Sequence, residues 1–239
     1  DSFAFQYTDL VTAKRITIPI PKDSSGNFSV SFPVSTYQEV YLSQGMKIKS
    51  DILFTGSREF SFFVKSGEML NLNYYTSVDR KIWSREFGGP TGLSNDQFRL
   101  YTDKLDFTEF SSFMPQKEFD SLKNDYDEFK KYVSTRLKAA LAYNNDYFKT
   151  TKANPEVKKR ADVNMKYYAA ATVTSAVILS KPKDPKLLEF LKENNIMVNN
   201  PDAYGYDSYR RFLDQYYIYI DGEARKNAGG ITITRAQMA

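Results

Sequence analysis

Hydrophobic positions recur with period two along the first third of the chain. Phe3, Phe5 and Tyr7 alternate with Ala4 and Gln6, and Ile16, Ile18 and Ile20 form the next such run. Phe28, Val30 and Phe32 alternate with serines, and Leu70, Leu72 and Tyr74 alternate with asparagines. Alternation of this kind predicts strands with one face on a core and the other in water. Shorter apolar runs at 40–42, 52–54, 60–64 and 82–87 predict four more strands. Asp23-Ser24-Ser25-Gly26-Asn27 reads as a hairpin loop and Ser66-Gly67 as a turn. Pro19, Pro21 and Pro33 belong at edges or strand ends, because proline cannot donate to a ladder. About eight short strands so spaced predict an antiparallel, β-sandwich-like domain over residues 1–90.

After Gly88-Gly89-Pro90-Thr91-Gly92 the period changes, which predicts a helical domain over 91–239 and an α+β chain as a whole. A first helix is expected over 94–113. A long one is expected from Pro115, where Phe119, Leu122, Tyr126, Phe129, Val133, Leu137 and Ala140 make a continuous stripe. On its polar face, Asp127 with Lys131 and Asp120 with Lys123 stand at pairing distance along the helix. Asn154-Pro155 signals another start, with an end near Ser180 before Pro182, and Ala169-Ala170-Ala171 invites close helix packing. Asp184-Pro185 opens a short helix with Leu187, Leu188 and Leu191. Asp207 caps a last helix, with Tyr209, Phe212, Leu213, Tyr216 and Ile220 on one face. Residues 227–239 read as a linker.

Composition removes whole classes of chemistry. The 239 residues contain neither cysteine nor histidine. There is no thiol nucleophile, no disulfide, no imidazole base and no Cys/His zinc site. Neither metal nor cofactor is expected. The net charge is +4 and its densest cluster is Lys158-Lys159-Arg160. That run reads as a solvated helix face rather than a phosphate-binding patch, and no nucleic-acid partner is expected. The longest apolar run, 167–179, is too short to span a bilayer.

Candidate chemistry is sparse. Glu118, Asp120, Asp125, Asp127 and Glu128 fall on polar helix faces and read as solvated charge. The acidic stretch 124–129 lacks the glycine of a calcium loop. Lys65 and Ser66 are adjacent, so as strand residues they would face opposite ways. Asn27-Phe28-Ser29 fits a glycosylation sequon but reads as the start of a strand, and Trp83 reads as core. On the last helix, Ile218 lies about 180° from the apolar face, between Arg211 and Asp214. An apolar residue there predicts a second covered side. It makes Arg211, Asp214 and Ile218 the candidate partner-binding residues, with the cover being the chain's own strands or tail, or a partner.

Several pieces together resemble a known family. They are Gly26-Asn27-Phe28-Ser29-Val30-Ser31-Phe32, then Gln38-Glu39-Val40-Tyr41-Leu42, and the turn Lys65-Ser66-Gly67-Glu68-Met69-Leu70. The joint Phe87-Gly88-Gly89 with Asn95 follows, and later Asn200-Pro201-Asp202-Ala203 and Ser208-Tyr209-Arg210-Arg211-Phe212-Leu213. This pattern is similar to the N-terminal region of Bacteroidetes-type TlpA-like thiol:disulfide oxidoreductases. Serine stands at 66 where the family has proline, and Glu68 replaces its aspartate. The resemblance implies an extracytoplasmic chain, in periplasm or at the cell surface, held to the membrane only through a removed or lipidated N-terminal signal. Its implied partner is a C-terminal thioredoxin-like domain or a redox partner protein. Without a Cys-x-x-Cys motif, no catalytic residue carries over. The expected function is a non-catalytic accessory or interaction region of such an oxidoreductase. The alternative, suggested by 18 Tyr and 18 Phe, is a cell-surface glycan-binding module.

Overall fold

The computed structural model describes residues 3–9, 12, 14–21, 23–34, 37–44, 46–48, 51–53, 58–76, 82–105, 125–180 and 186–227. Eight strands come first: β1 (Phe3–Thr8), β2 (Arg15–Pro19), β3 (Gln38–Gln44), β4 (Met46–Ile48), β5 (Asp51–Leu53), β6 (Arg58–Val64), β7 (Asn71–Thr76) and β8 (Ile82–Gly88). Five helices follow: α1 (Gly92–Leu105), α2 (Tyr126–Thr151), α3 (Pro155–Ser180), α4 (Leu187–Glu193) and α5 (Asp207–Asn227). The chain is mixed α/β and divides into two compact units, Asp1–Arg99 and Leu100–Ala239.

In the first unit all pairings are antiparallel. One sheet runs β2-β1-β3-β6, and β4-β5 and β7-β8 are two-stranded. Alternation delivers one apolar face. Phe3, Phe5, Tyr7, Val40, Leu42, Phe60 and Phe62 join Phe87 of β8 in a common core, with Leu72 and Tyr74 packed against it. The opposite face is also covered, since Ala4, Gln6 and Phe63 are buried.

The expected strand at Phe28–Phe32 does not form a ladder. Its three apolar residues still alternate in burial and pack on the core, Phe28 against Phe5 and Tyr74, and Phe32 against Tyr7. The binary pattern therefore records burial here, not pairing. β4 was not expected, because its two apolar residues, Met46 and Ile48, are separated by Lys47 and form no run.

At the joint, Gly89 has φ +86°, and a Cβ there would stand 2.4 Å from the Met69 carbonyl oxygen. Only glycine tolerates both that conformation and that approach. Four residues into α1, Asn95 turns back onto the outer edge of β6. Its Oδ1 accepts from the Phe63 N–H at 2.7 Å and its Nδ2 donates to the Phe63 carbonyl at 2.8 Å. One carboxamide thus satisfies both backbone groups of Phe63, as a neighbouring strand would at that position.

In the second unit α3 is central and packs on both α2 and α5. Ala169, Ala170 and Ala171 are all buried, as close packing requires. Asn154 caps α3, accepting from the Glu156 N–H at 2.9 Å, and the helix is described as far as Ser180, while Lys181 and Pro182 lie outside the described residues. Three expectations are corrected. The stripe from Phe119 to Ala140 is not one helix, because Asp125 is extended (φ −121°, ψ 92°) and caps α2 by accepting from the Glu128 N–H. The Asp-x-x-Glu signature of a helix start outweighs a continuous period there. Helix α4 begins at Leu187 after a left-handed Lys186 (φ 41°), while Asp184-Pro185 lies outside the described residues. Asp207 is the first residue of α5 rather than its cap: the Tyr206 carbonyl accepts from the Arg210 N–H, and Asp207 pairs with the Arg210 guanidinium at 3.1 Å. The 106–124 stretch, with Glu118, Asp120 and Lys123, and the 228–239 end of the expected linker lie outside the described residues.

Candidate functional site

The second unit carries a groove of about 410 Å³ between α3 and the segment after α4. Helical phase places Lys158, Asp162 and Lys166 in line on α3, each four residues from the next. The other wall contains Asn195, Met197 and Asn200.

Each wall is anchored from behind. Buried Tyr101 donates its hydroxyl to Asn144 Oδ1 at 2.7 Å, Asn144 Nδ2 donates to Asp162 Oδ1 at 2.9 Å, and Lys158 Nζ reaches Asp162 Oδ2 at 2.5 Å. On the other side the Tyr167 hydroxyl donates to the Met197 carbonyl at 2.9 Å and accepts from Asn200 Nδ2 at 2.9 Å. The Tyr209 hydroxyl donates to the Val198 carbonyl at 2.7 Å. Burial pushes Tyr167 up to about 12 and raises Tyr209, chiefly by desolvating the phenolate. Burial raises Tyr101 further, with Tyr143 and Asp162 adding repulsion. These phenols stay protonated near neutral pH and serve as structural donors.

The basic run is only partly solvated. Lys159 is exposed and pairs with Asp202 at 3.2 Å, but Arg160 is 2% exposed. Arg160 stands three residues after buried Val157 and beside buried Ala161, so helical phase turns it inward.

The expected partner-binding residues lie along α5. Arg211 is exposed, Asp214 is half-exposed and stands 3.7 Å from Arg210, and Ile218 is 48% exposed. The described residues therefore leave Ile218 open on the side where cover was expected. Asp125, Asp127 and Glu128 are exposed, as expected of solvated charge; Lys131 pairs with Glu128 at 3.7 Å. Lys65 is engaged by Glu68 at 2.9 Å across the Ser66-Gly67 turn. Asn27 sits in the exposed hairpin loop, where its N–H holds the Asp23 carboxyl below the usual carboxylate range. Trp83 is in β8, and its side chain lies outside the described residues. Most described phenyl rings enter the two cores, which weakens the aromatic argument for glycan binding.

Among the described residues no group of acidic side chains is placed to hold a metal, and no helix is long and apolar enough to cross a membrane. The groove itself escaped sequence reading, because its walls lie about 30 residues apart and only tertiary packing joins them. The chain matches no family model, no curated protein and no solved structure.

Proposed function

We propose that this chain is a non-catalytic, extracytoplasmic interaction region serving a thioredoxin-like thiol:disulfide oxidoreductase, with a β-sandwich-like strand unit followed by a helical unit. One observation carries the reading. Two of the family-like pieces, the 65–70 turn and the 87–89 joint with Asn95, meet at one place. Gly89 abuts the Met69 carbonyl in the Lys65–Leu70 turn segment, Gly88 pairs with Asn71, and Asn95 clamps β6 immediately before that turn. The non-catalytic half of the proposal rests on the missing thiol and imidazole, and on tyrosines whose raised values suit structural donors rather than acid–base groups. The compartment and the partner rest on the resemblance alone.

The test begins with the reading frame downstream of Ala239 and its immediate neighbours. The expected result is a Cys-x-x-Cys domain there, whose purified form binds this chain by calorimetry. The chain by itself should not reduce insulin disulfides. No such domain, together with saturable binding on a glycan array, would replace this proposal with the glycan-binding one.

A further inference from the structure

The groove on α3 has an excess of donors over acceptors. Both oxygens of Asp162 are taken, one by Asn144 and one by Lys158. Lys159, at the rim, is paired with Asp202. Lys166 has no carboxylate within ion-pair distance among the described residues and reaches only the Asn195 carbonyl, at 3.5 Å. Such a separation is at the outer limit of a hydrogen bond. Among the described residues one ammonium thus faces the groove without a counter-charge, and Lys158, two helical turns away along α3, keeps donors to spare.

Two further features separate this groove from a chance row of lysines. Its walls are held in place: Lys158 by the chain Tyr101–Asn144–Asp162, and the 197–200 segment by Tyr167 and Tyr209. Groups already held need little ordering when a ligand arrives. Apolar atoms of Pro155, Val163 and Met197 complete the lining, and Met197 is 58% exposed. A ligand that fits must bring acceptors for the lysines and a small body for the apolar lining.

We infer that this groove binds an oxyanion carried on a small molecule, with Lys166 as the principal charge contact and Lys158 as the second. The inference is independent of the oxidoreductase reading, since it uses only the groove. Carboxylate, phosphate and sulfate share the required chemistry, and the cavity has room for a group of monosaccharide size.

The experiment titrates the full chain with acetate, inorganic phosphate, sulfate and glucuronate at low ionic strength, followed by amide chemical shifts. The expected result is a saturable shift centred on residues 158–166 and 195–200 for at least one probe. Preference for glucuronate over acetate assigns an acidic sugar, and preference for phosphate or sulfate assigns that anion. Lys166→Gln should weaken binding about tenfold or more, as for a lost charged hydrogen bond. Lys131→Gln, an exposed lysine on α2, should leave affinity unchanged. Lys166→Arg should keep binding and so guards against a folding artefact. No saturable shift at the groove with any probe, or equal weakening by Lys131→Gln and Lys166→Gln, would overturn the inference.

Discussion

Asn95→Ala removes the carboxamide that satisfies both backbone groups of Phe63. Asn95 is 3% exposed and Phe63 0%, so water does not replace the two lost bonds. A buried backbone donor or acceptor left without a partner costs about 1–3 kcal/mol. With one N–H and one carbonyl orphaned, the expected loss is about 2–4 kcal/mol, a large share of an ordinary domain's stability. At a urea slope of about 2 kcal/mol per molar, the midpoint should fall by roughly 1–2 M. Trp83, the chain's single tryptophan, lies in β8, so its fluorescence reports the strand unit, while ellipticity at the helix band reports mainly α1–α5. The fluorescence midpoint should carry the shift. Asn95→Asp sharpens the test: a carboxylate can accept from the Phe63 N–H but repels the Phe63 carbonyl. Protonating the introduced carboxyl restores a donor, so its folded-state pKa is raised. The variant should gain stability relative to Asn95→Ala as pH falls towards about 4. A loss below about 1 kcal/mol for Asn95→Ala would refute the clamp.

Gly67 and Gly89, both left-handed, should separate cleanly by urea midpoint. Gly67→Ala meets nothing within 4 Å and costs only the left-handed conformation at φ +76°, about 1–2 kcal/mol; Gly89→Ala adds a clash with the Met69 carbonyl and should cost clearly more. Equal losses would count against the joint. In alkali, the raised pKa values of Tyr101, Tyr167 and Tyr209 mean that the folded chain keeps protons the unfolded chain releases. Their stabilisation is complete below the unfolded tyrosine value of about 10 and is lost as pH rises from there through the folded values. Unfolding free energy measured at successive pH values should therefore fall above about pH 10, and less steeply in Tyr167→Phe. Ile218→Asp should change stability by no more than about 0.5 kcal/mol, because Ile218 is 48% exposed. A loss of about 2 kcal/mol or more would mean that this side of α5 is covered after all.

Burial was more legible in the sequence than hydrogen bonding. The alternating residues of β1, β3, β6 and β7 face the core as their period demands, and so do Phe28, Val30 and Phe32, which join no ladder among the described residues. A period reports which side of a chain is apolar, a local property. A ladder needs a neighbouring backbone at the right distance, which the same letters cannot encode. Asn95 illustrates the converse: as one polar letter in a helix start it carries no periodic signal, yet it satisfies both backbone groups of Phe63. Only its place in a family-like piece marked it. At Asp125 the apolar period runs through a helix start, because a period in the letters does not register the extended residue that caps α2.

Arg160 shows how residue type and phase can disagree. Grouped by type, it belongs with Lys158 and Lys159 as a solvated run. Grouped by helical phase, it belongs with Val157 and Ala161, and the structure follows phase. The same rule splits the cluster usefully. It turns Arg160 inward and sends Lys158 to the groove, in line with Asp162 and Lys166. The basic run divides into Lys158 held by Asp162, Lys159 paired with Asp202 and Arg160 turned inward, while Lys166, outside the run, reaches only the Asn195 carbonyl among the described residues. The free charge therefore lies outside the run that drew attention, and it becomes visible only when the chain returns through Asn195–Asn200 to form the opposite wall.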